Sequence, residues 1–345
     1  MTTILQNEIW EQPAVVQRLL ERETLNTQRA AAALRGTFDS ILIAARGTSD
    51  NAARYAQYLF GVHNRLPVGL ATPSLYTLYN RPPELKRVLA IGISQSGQSP
   101  DIVAVLAEAS RQGQPTLAIT NDLASPLAQA ARYAIPLGAG PEKAVAATKT
   151  YTASLAALAL LSSALAEDTQ RLTQLNRIPP LMEQTLQDLA PLMPRVERYR
   201  YMDRCAVIGR GYNYSTAFEF ALKVKELTSV VAEPYSSADF RHGPIAIVKA
   251  GFPVIVIAPG GGVQADLADL IEGLIARHSE LLVVSEQAGL LHRARLGLPI
   301  PAGADEWLTP LLTILPGQVF ALALTEFKGL DPDHPEGLTK VTETF

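Results

Sequence analysis

Gly47 and Gly97 stand 50 residues apart, and so do Gly211 and Gly261. Each pair is set in the same order of signals: an apolar run ends in a glycine turn, a helix follows, and a second apolar run ends in a second glycine turn. In the first copy, residues 38–45 lead into Arg46–Gly47–Thr48–Ser49 and a helix over 50–61, and RVLAIGIS (87–94) leads into Gln95–Ser96–Gly97 and a helix over 100–112. In the second copy, AVIGRG (206–211) precedes a helix over 212–228, and PVIVIAP (253–259) precedes Gly260–Gly262 and another helix. Strands near 116–120 and 280–284 also correspond. Strands alternating with helices at this spacing predict parallel sheets covered on both faces, and the repetition predicts two copies of one α/β unit.

The resulting division is a helical segment over 1–35, a first unit over 36–166, a Pro-punctuated helical connector over 167–200, a second unit over 201–330 and a polar tail over 331–345. In the first helical segment Glu8, Glu11, Arg18, Glu21 and Arg22 are assigned to polar faces. At 345 residues the chain is long for a single core. Its net charge of −3, with no basic block, argues against nucleic acid as a partner. The N-terminus has no signal-peptide pattern, and the apolar stretch 152–166 is too short and too rich in Ala and Ser to span a bilayer. A single cysteine, Cys205, fits a reducing compartment, so a cytoplasmic location is expected. It stands in an apolar run that reads as a buried strand, which favours a structural role over a nucleophilic one.

Two stretches carry chemistry. The loop Ser94–Gln95–Ser96–Gly97–Gln98–Ser99 joins a strand to a helix that opens with Pro100, so Ser99 suits the N-cap. Unpaired amides, the positive end of a helix and three hydroxyls together suit a phosphate monoester; a well-capped polar turn is the alternative. Thr48 and Ser49 could add donors from the neighbouring strand end. No Walker lysine and no G-x-G-x-x-G is present, which disfavours a nucleotide. The second stretch is the helix bearing Glu219, Lys223 and Glu226 at i, i+4 and i+7, a polar stripe on an otherwise apolar helix. It either lines a cleft or forms a salt-bridged face toward solvent. His242 follows in a loop, within proton-transfer chemistry if brought to a sugar. His63, His278, His292 and His334 have no partner pattern. No residue spacing predicts a metal site, and no cofactor is expected.

These motifs, ARGTSDNAARYAQYLF, ISQSGQSPDIV, GPEKAVAATKTYTASL, GRGYNYSTAFEFALKVKE, AEPYSSADFRHGP and GLTKVTETF, resemble the sugar-isomerase (SIS) double domain across nearly the whole chain, as in the isomerase half of glucosamine-6-phosphate synthase. The resemblance implies two tandem flavodoxin-like units. RGTSD, QSGQSPDI, EKAVAATK, SSADFRHGP and DPDHPEGLTKVT look like the SIS-type glucosamine-6-phosphate deaminases, and Arg46 and Ala147 stand where the synthases have cysteine and serine. No glutamine-hydrolysing domain is seen. The expectation is therefore isomerisation and deamination of glucosamine 6-phosphate to fructose 6-phosphate and ammonia. The alternatives are a synthase-like isomerase, a fructosamine-6-phosphate deglycase or a non-catalytic sugar-phosphate sensor.

Position by position, the resemblance implies that Ser49, Ser94, Gln95, Ser96 and Ser99 hold the phosphate, with Thr48 a further candidate from the strand end, and that backbone atoms of Val145 and Thr339 touch the sugar. His242 would open the ring, donated across a homodimer interface. Glu226 would move the proton between C1 and C2, with Lys223 beside it. Lys340 would close over the open-chain sugar as part of a tail lid. The implied partner is a small-molecule sugar phosphate; neither nucleic acid nor membrane is implied.

Overall fold

The computed structural model describes residues 2–340. They form two compact units. The first comprises Ala14–Glu142, Lys149–Asn176 and the last described residues, Thr339 and Lys340; the second comprises residues 2–13, Lys143–Thr148 and Arg177–Leu338.

The first unit is built on five parallel strands: β1 Ser40–Ala44, β2 Val68–Leu70, β3 Val88–Ser94, β4 Thr116–Thr120 and β5 Tyr133–Pro136. Their order is β2-β1-β3-β4-β5. The second unit repeats this with β6 Arg204–Gly209, β7 Val231–Ser236, β8 Pro253–Ile257, β9 Glu280–Ser285 and β10 Leu296–Pro299. Read from its own first strand, the order β10-β9-β8-β6-β7 is again 2-1-3-4-5, the flavodoxin-like winding. The central strands bury both faces and so read as unbroken apolar runs: Leu89 through Ile93 in β3, and Val254 through Ile257 in β8. The four glycines that mark the repeat all have positive φ, +52° and +64° in the first unit and +60° and +125° in the second. An L side chain is strained there, so the glycine spacing in the sequence records a backbone requirement.

Three features depart from sequence expectation. The stretch between the striped helix and His242 is expected as loop, yet 231–236 forms β7; its Pro234 is tolerated because an edge strand can turn the missing N–H outward. The expected connector is largely built into the second unit, where helix Ile178–Leu189 packs on helix Pro310–Phe327. Glu8 does not lie on a solvent face. It is 4% exposed, and its carboxylate accepts the amides of Lys143 (2.5 Å) and Ala144 (3.2 Å). A buried carboxylate is tolerable because those amides satisfy it. Helix Pro310–Phe327 is apolar enough to cross a bilayer, but it is buried from Pro310 to Thr325 as the core helix of the second unit.

Candidate active site

In the first unit, the loops after β1 and β3 leave adjacent strands at their carboxyl ends, where the strand order reverses; open α/β sheets bind ligands at such a place. Thr48 and Ser49 lie in the opening turn of helix Gly47–Asn64. Ser94 ends β3, nearly buried, and its hydroxyl accepts the Gly97 amide at 3.1 Å. The Ser96 hydroxyl accepts the Gln98 amide at 3.3 Å. The Gln95 carbonyl accepts from the Asn121 amide (3.1 Å) and the Thr120 hydroxyl (3.3 Å), which pins the loop to the end of β4. A Cβ on Gly97 would collide with Ser125, so this position admits only glycine without rearrangement.

Ser99 occupies the N-cap of helix Pro100–Arg111, with Pro100 at its first position, yet its hydroxyl makes no capping bond. Buried Asp101 serves instead: one carboxylate oxygen accepts the Ile102 amide at 2.9 Å and the other takes Arg46 Nε at 2.8 Å. This pair ties the β1 loop to the β3 loop. It also explains Arg46, which the sequence shows only as a departure from a pattern. The arginine is half exposed, so a cation stands at the mouth of a hydroxyl-lined loop.

In the second unit the polar stripe is neither fully in a cleft nor on a solvent face. Glu219 and Lys223 are completely buried and only Glu226 reaches the surface, its side chain 24% exposed. The Lys223 ammonium lies 2.5 Å from Glu226 Oε2 and 3.4 Å from Glu219 Oε1. Helix Tyr214–Thr228 is held from its apolar side. Phe220 covers Gly317 of helix Pro310–Phe327, where a Cβ would come within 2.7 Å of the ring, and meets Phe320 edge-on at 5.8 Å. A rigid helix with a buried lysine thus aims one carboxylate outward. His242 caps short helix Ser237–Arg241 and is exposed. Beside it, Arg241 and Ser237 bond Asp266; burial works against ionisation there, but the Ser237 hydroxyl and Arg241 outweigh it and hold that carboxyl below the usual range. Burial pushes the Cys205 thiol in β6 up to about 12, so it is not a nucleophile at neutral pH.

Val145 belongs to the segment Lys143–Thr148, whose amides Glu8 receives. Thr339 is exposed. Lys340 bonds Glu142 Oε2 at 3.0 Å, and that carboxylate is fully buried, accepting also the Thr150 amide (3.1 Å) and hydroxyl (2.8 Å). Glu142 was not picked out from the sequence: nothing local marks it as the partner of a lysine 198 residues away. The tail is anchored earlier, where Asp333 accepts the amides of Ile4 and Leu5 at 2.8 Å each. Residues 341–345 of the expected lid lie outside the described residues.

A groove of about 1170 Å³ opens at the opposite end of the second sheet, among Tyr201, Arg204, Val231, Ile247, Phe252 and Glu280. None of the residues singled out from the sequence as catalytic or substrate-binding lines it.

Two flavodoxin-like sheets in tandem, one ending in a hydroxyl loop and the other bearing a lysine-held glutamate, define a doubled α/β protein of the sugar-isomerase class. The chain belongs to the SIS-domain family, whose model matches residues 38–164 and again 200–325. It is 34% identical over 336 residues to the glutamine–fructose-6-phosphate aminotransferase (isomerizing) of Aquifex aeolicus, a match covering 96% of this chain and 56% of that protein. The chain thus spans about half the length of the known relatives it matches. The C-terminal domain of glucosamine-fructose-6-phosphate aminotransferase from Francisella tularensis has the same fold at a TM-score of 0.89 and 26% identity, covering 97% of this chain and 99% of that one. Glucosamine-6-phosphate deaminase from Thermotoga maritima shares the fold at a TM-score of 0.82, with 22% identity and coverage of 99% and 100%. The sugar-isomerase resemblance is borne out; the Aquifex aeolicus relative and one from Thermus thermophilus, also 34% identical, carry the synthase's name rather than the deaminase's.

Proposed function

We propose that this chain is a sugar-phosphate isomerase that moves a proton between C1 and C2 of an open-chain 6-phosphohexose, as in the isomerising half-reaction linking fructose 6-phosphate and glucosamine 6-phosphate. The observation that carries this reading is the single surface-reaching carboxylate of Glu226, held at 2.5 Å by a fully buried lysine. The phosphate is anchored by Thr48, Ser49, Ser94, Gln95, Ser96 and Ser99, with Arg46 adding charge nearby. His242, donated by a second copy in a homodimer, opens the ring, and Val145 and Thr339 offer backbone contacts. Glu226 takes the proton from one carbon and returns it to the other through an enolamine or enediol. Lys223 keeps that carboxylate oriented and compensates its charge. Lys340, drawn by Glu142, lies beside the open chain. Proton transfer by a positioned group supplies about 10²–10⁴-fold, with positioning supplying much of the remainder.

The synthase-type isomerase is the first reading, supported by 34% identity along the chain. There, ammonia condenses with the C2 ketone of fructose 6-phosphate with loss of water, and a C1 proton of the resulting imine moves to C2. Deamination is the second reading, favoured by Arg46 and Ala147 at positions where synthases differ. It runs the same proton transfer backward, after which water adds to the C2 imine and releases ammonia. The test is deuterium incorporation from D₂O at C1 of fructose 6-phosphate and at C2 of glucosamine 6-phosphate, with ammonia measured alongside. Exchange that Glu226→Gln abolishes while binding persists supports the isomerase, and ammonia release then selects deamination. No exchange with either sugar overturns the proposal.

A further inference from the structure

The second unit has its own loop at the same topological place as the hydroxyl loop, between β8 and helix Gln264–Ala276, with the sequence Pro259–Gly260–Gly261–Gly262–Val263. Two of its amides are already engaged. Gly260 N–H donates to Glu286 Oε1 at 2.5 Å, and Gly262 N–H donates to Glu306 Oε2 at 2.7 Å. Glu286 is the residue directly after β9, where the first unit has the neutral Asn121 directly after β4. Glu306 opens a 3₁₀ turn, Glu306–Leu308.

The glycines are shaped to these two carboxylates. A Cβ on Gly260 would stand 2.6 Å from Glu286 Oε1, and a Cβ on Gly261 would run into the Glu306 carboxylate. Glycine in a phosphate loop lets the backbone close on its ligand; here the group it closes on belongs to the chain. The contrast with the first unit is chemical. There Ser94 and Ser96 meet the amides of Gly97 and Gln98 with hydroxyls, which are neutral and can turn to donate. A carboxylate cannot donate, and its charge repels an incoming phosphate.

We propose that the β8 loop is an anion site occupied by the chain's own Glu286 and Glu306, which closes the second unit to phosphate monoesters. Removing both carboxylates uncovers a site for phosphate. That each chain binds one phosphorylated ligand, through the first unit, rests on the function proposed above; the occupancy of the β8 loop does not.

The full chain labelled with [¹⁵N]glycine and titrated with inorganic phosphate tests this. In the wild type, the Gly260 and Gly262 amides stay unmoved at phosphate levels that saturate any Gly97 response. In the folded double variant Glu286→Ser/Glu306→Ser, both amides shift saturably and calorimetry counts one more phosphate per chain than in the wild type. Two results overturn the proposal: a saturable Gly260 or Gly262 shift in the wild type, or no added phosphate in the folded double variant. Should the double variant not fold, the wild-type titration and Glu306→Ser, read at Gly262, decide in the same way. A silent Gly97 would sink phosphate binding by the first loop and leave this proposal standing.

Discussion

The loop after β3 and the loop after β8 share a backbone frame and differ in what faces it. Each follows the third-wound strand of a 2-1-3-4-5 sheet, holds a glycine at positive φ and opens a helix. In the first, serine hydroxyls satisfy the amides; in the second, two glutamates do. The two units therefore share the loop's backbone geometry, and on the proposals above the side chains decide which copy remains open to a ligand. The units divide labour a second way. Buried charge in the first unit, Asp101 against half-exposed Arg46, ties loops together, whereas buried charge in the second, Glu219 and Lys223, supports a carboxylate that faces out.

The largest expected effect separates these two uses of buried charge. Lys223→Ala leaves Glu219 fully buried without its ammonium neighbour, and a broken buried pair costs about 3–5 kcal/mol. Arg46→Ala should cost about 1 kcal/mol, because Arg46 is half in water and Asp101 keeps the Ile102 amide. Urea denaturation of both variants checks this, and equal losses would erase the distinction. Next come the loop glycines. Gly97→Ala and Gly261→Ala each strain a positive-φ position by about 1–3 kcal/mol. Only Gly97→Ala should raise KM for a sugar phosphate, by about tenfold, since 1.4 kcal/mol of binding is a factor of ten. A matching rise in Gly261→Ala would place ligand in both loops.

The smallest effect concerns the helix that follows the hydroxyl loop. Hydrogen bonds from Arg111 and then Gln112 hold the Glu108 carboxyl down to about 2. A depressed folded value means its contribution is present above the unfolded value of about 4.3 and fades as pH falls toward 2. Because Arg111 is mostly solvated, that contribution is below about 1 kcal/mol. The Tm gap between wild type and Glu108→Gln should be small at pH 7 and vanish near pH 2. A gap that persists there would assign the effect to packing.

Wherever a constraint is periodic or local, the chain shows it openly. Parallel strands buried on both faces leave unbroken apolar runs, and the glycine turns leave a fifty-residue spacing, so the doubled sheet and the hydroxyl loop can be read without coordinates. The stripe of Glu219, Lys223 and Glu226 can be read as one face, but not how deeply each member is buried, because that is set by Phe220 closing on Gly317, 97 positions later in the chain. Edge strand β7 hides behind Pro234, whose cost depends on which side of the strand is unpartnered. Glu142 with Lys340, Glu286 with Gly260 and Glu306 with Gly262 are pairings across 198, 26 and 44 residues, and no local pattern encodes them.

The Asp333 clasp on Ile4 and Leu5 bears on how the protein is made. The ribosome delivers Ile4 329 residues before the carboxylate that caps its helix. The strands of the first sheet are all synthesised within that interval, so the first unit can condense while the opening helix still waits with uncapped amides. The second unit gains that cap only when Asp333 emerges. A stall shortly before Asp333 would therefore leave the first unit short of Lys340 over Glu142, and the second with its opening helix unsealed.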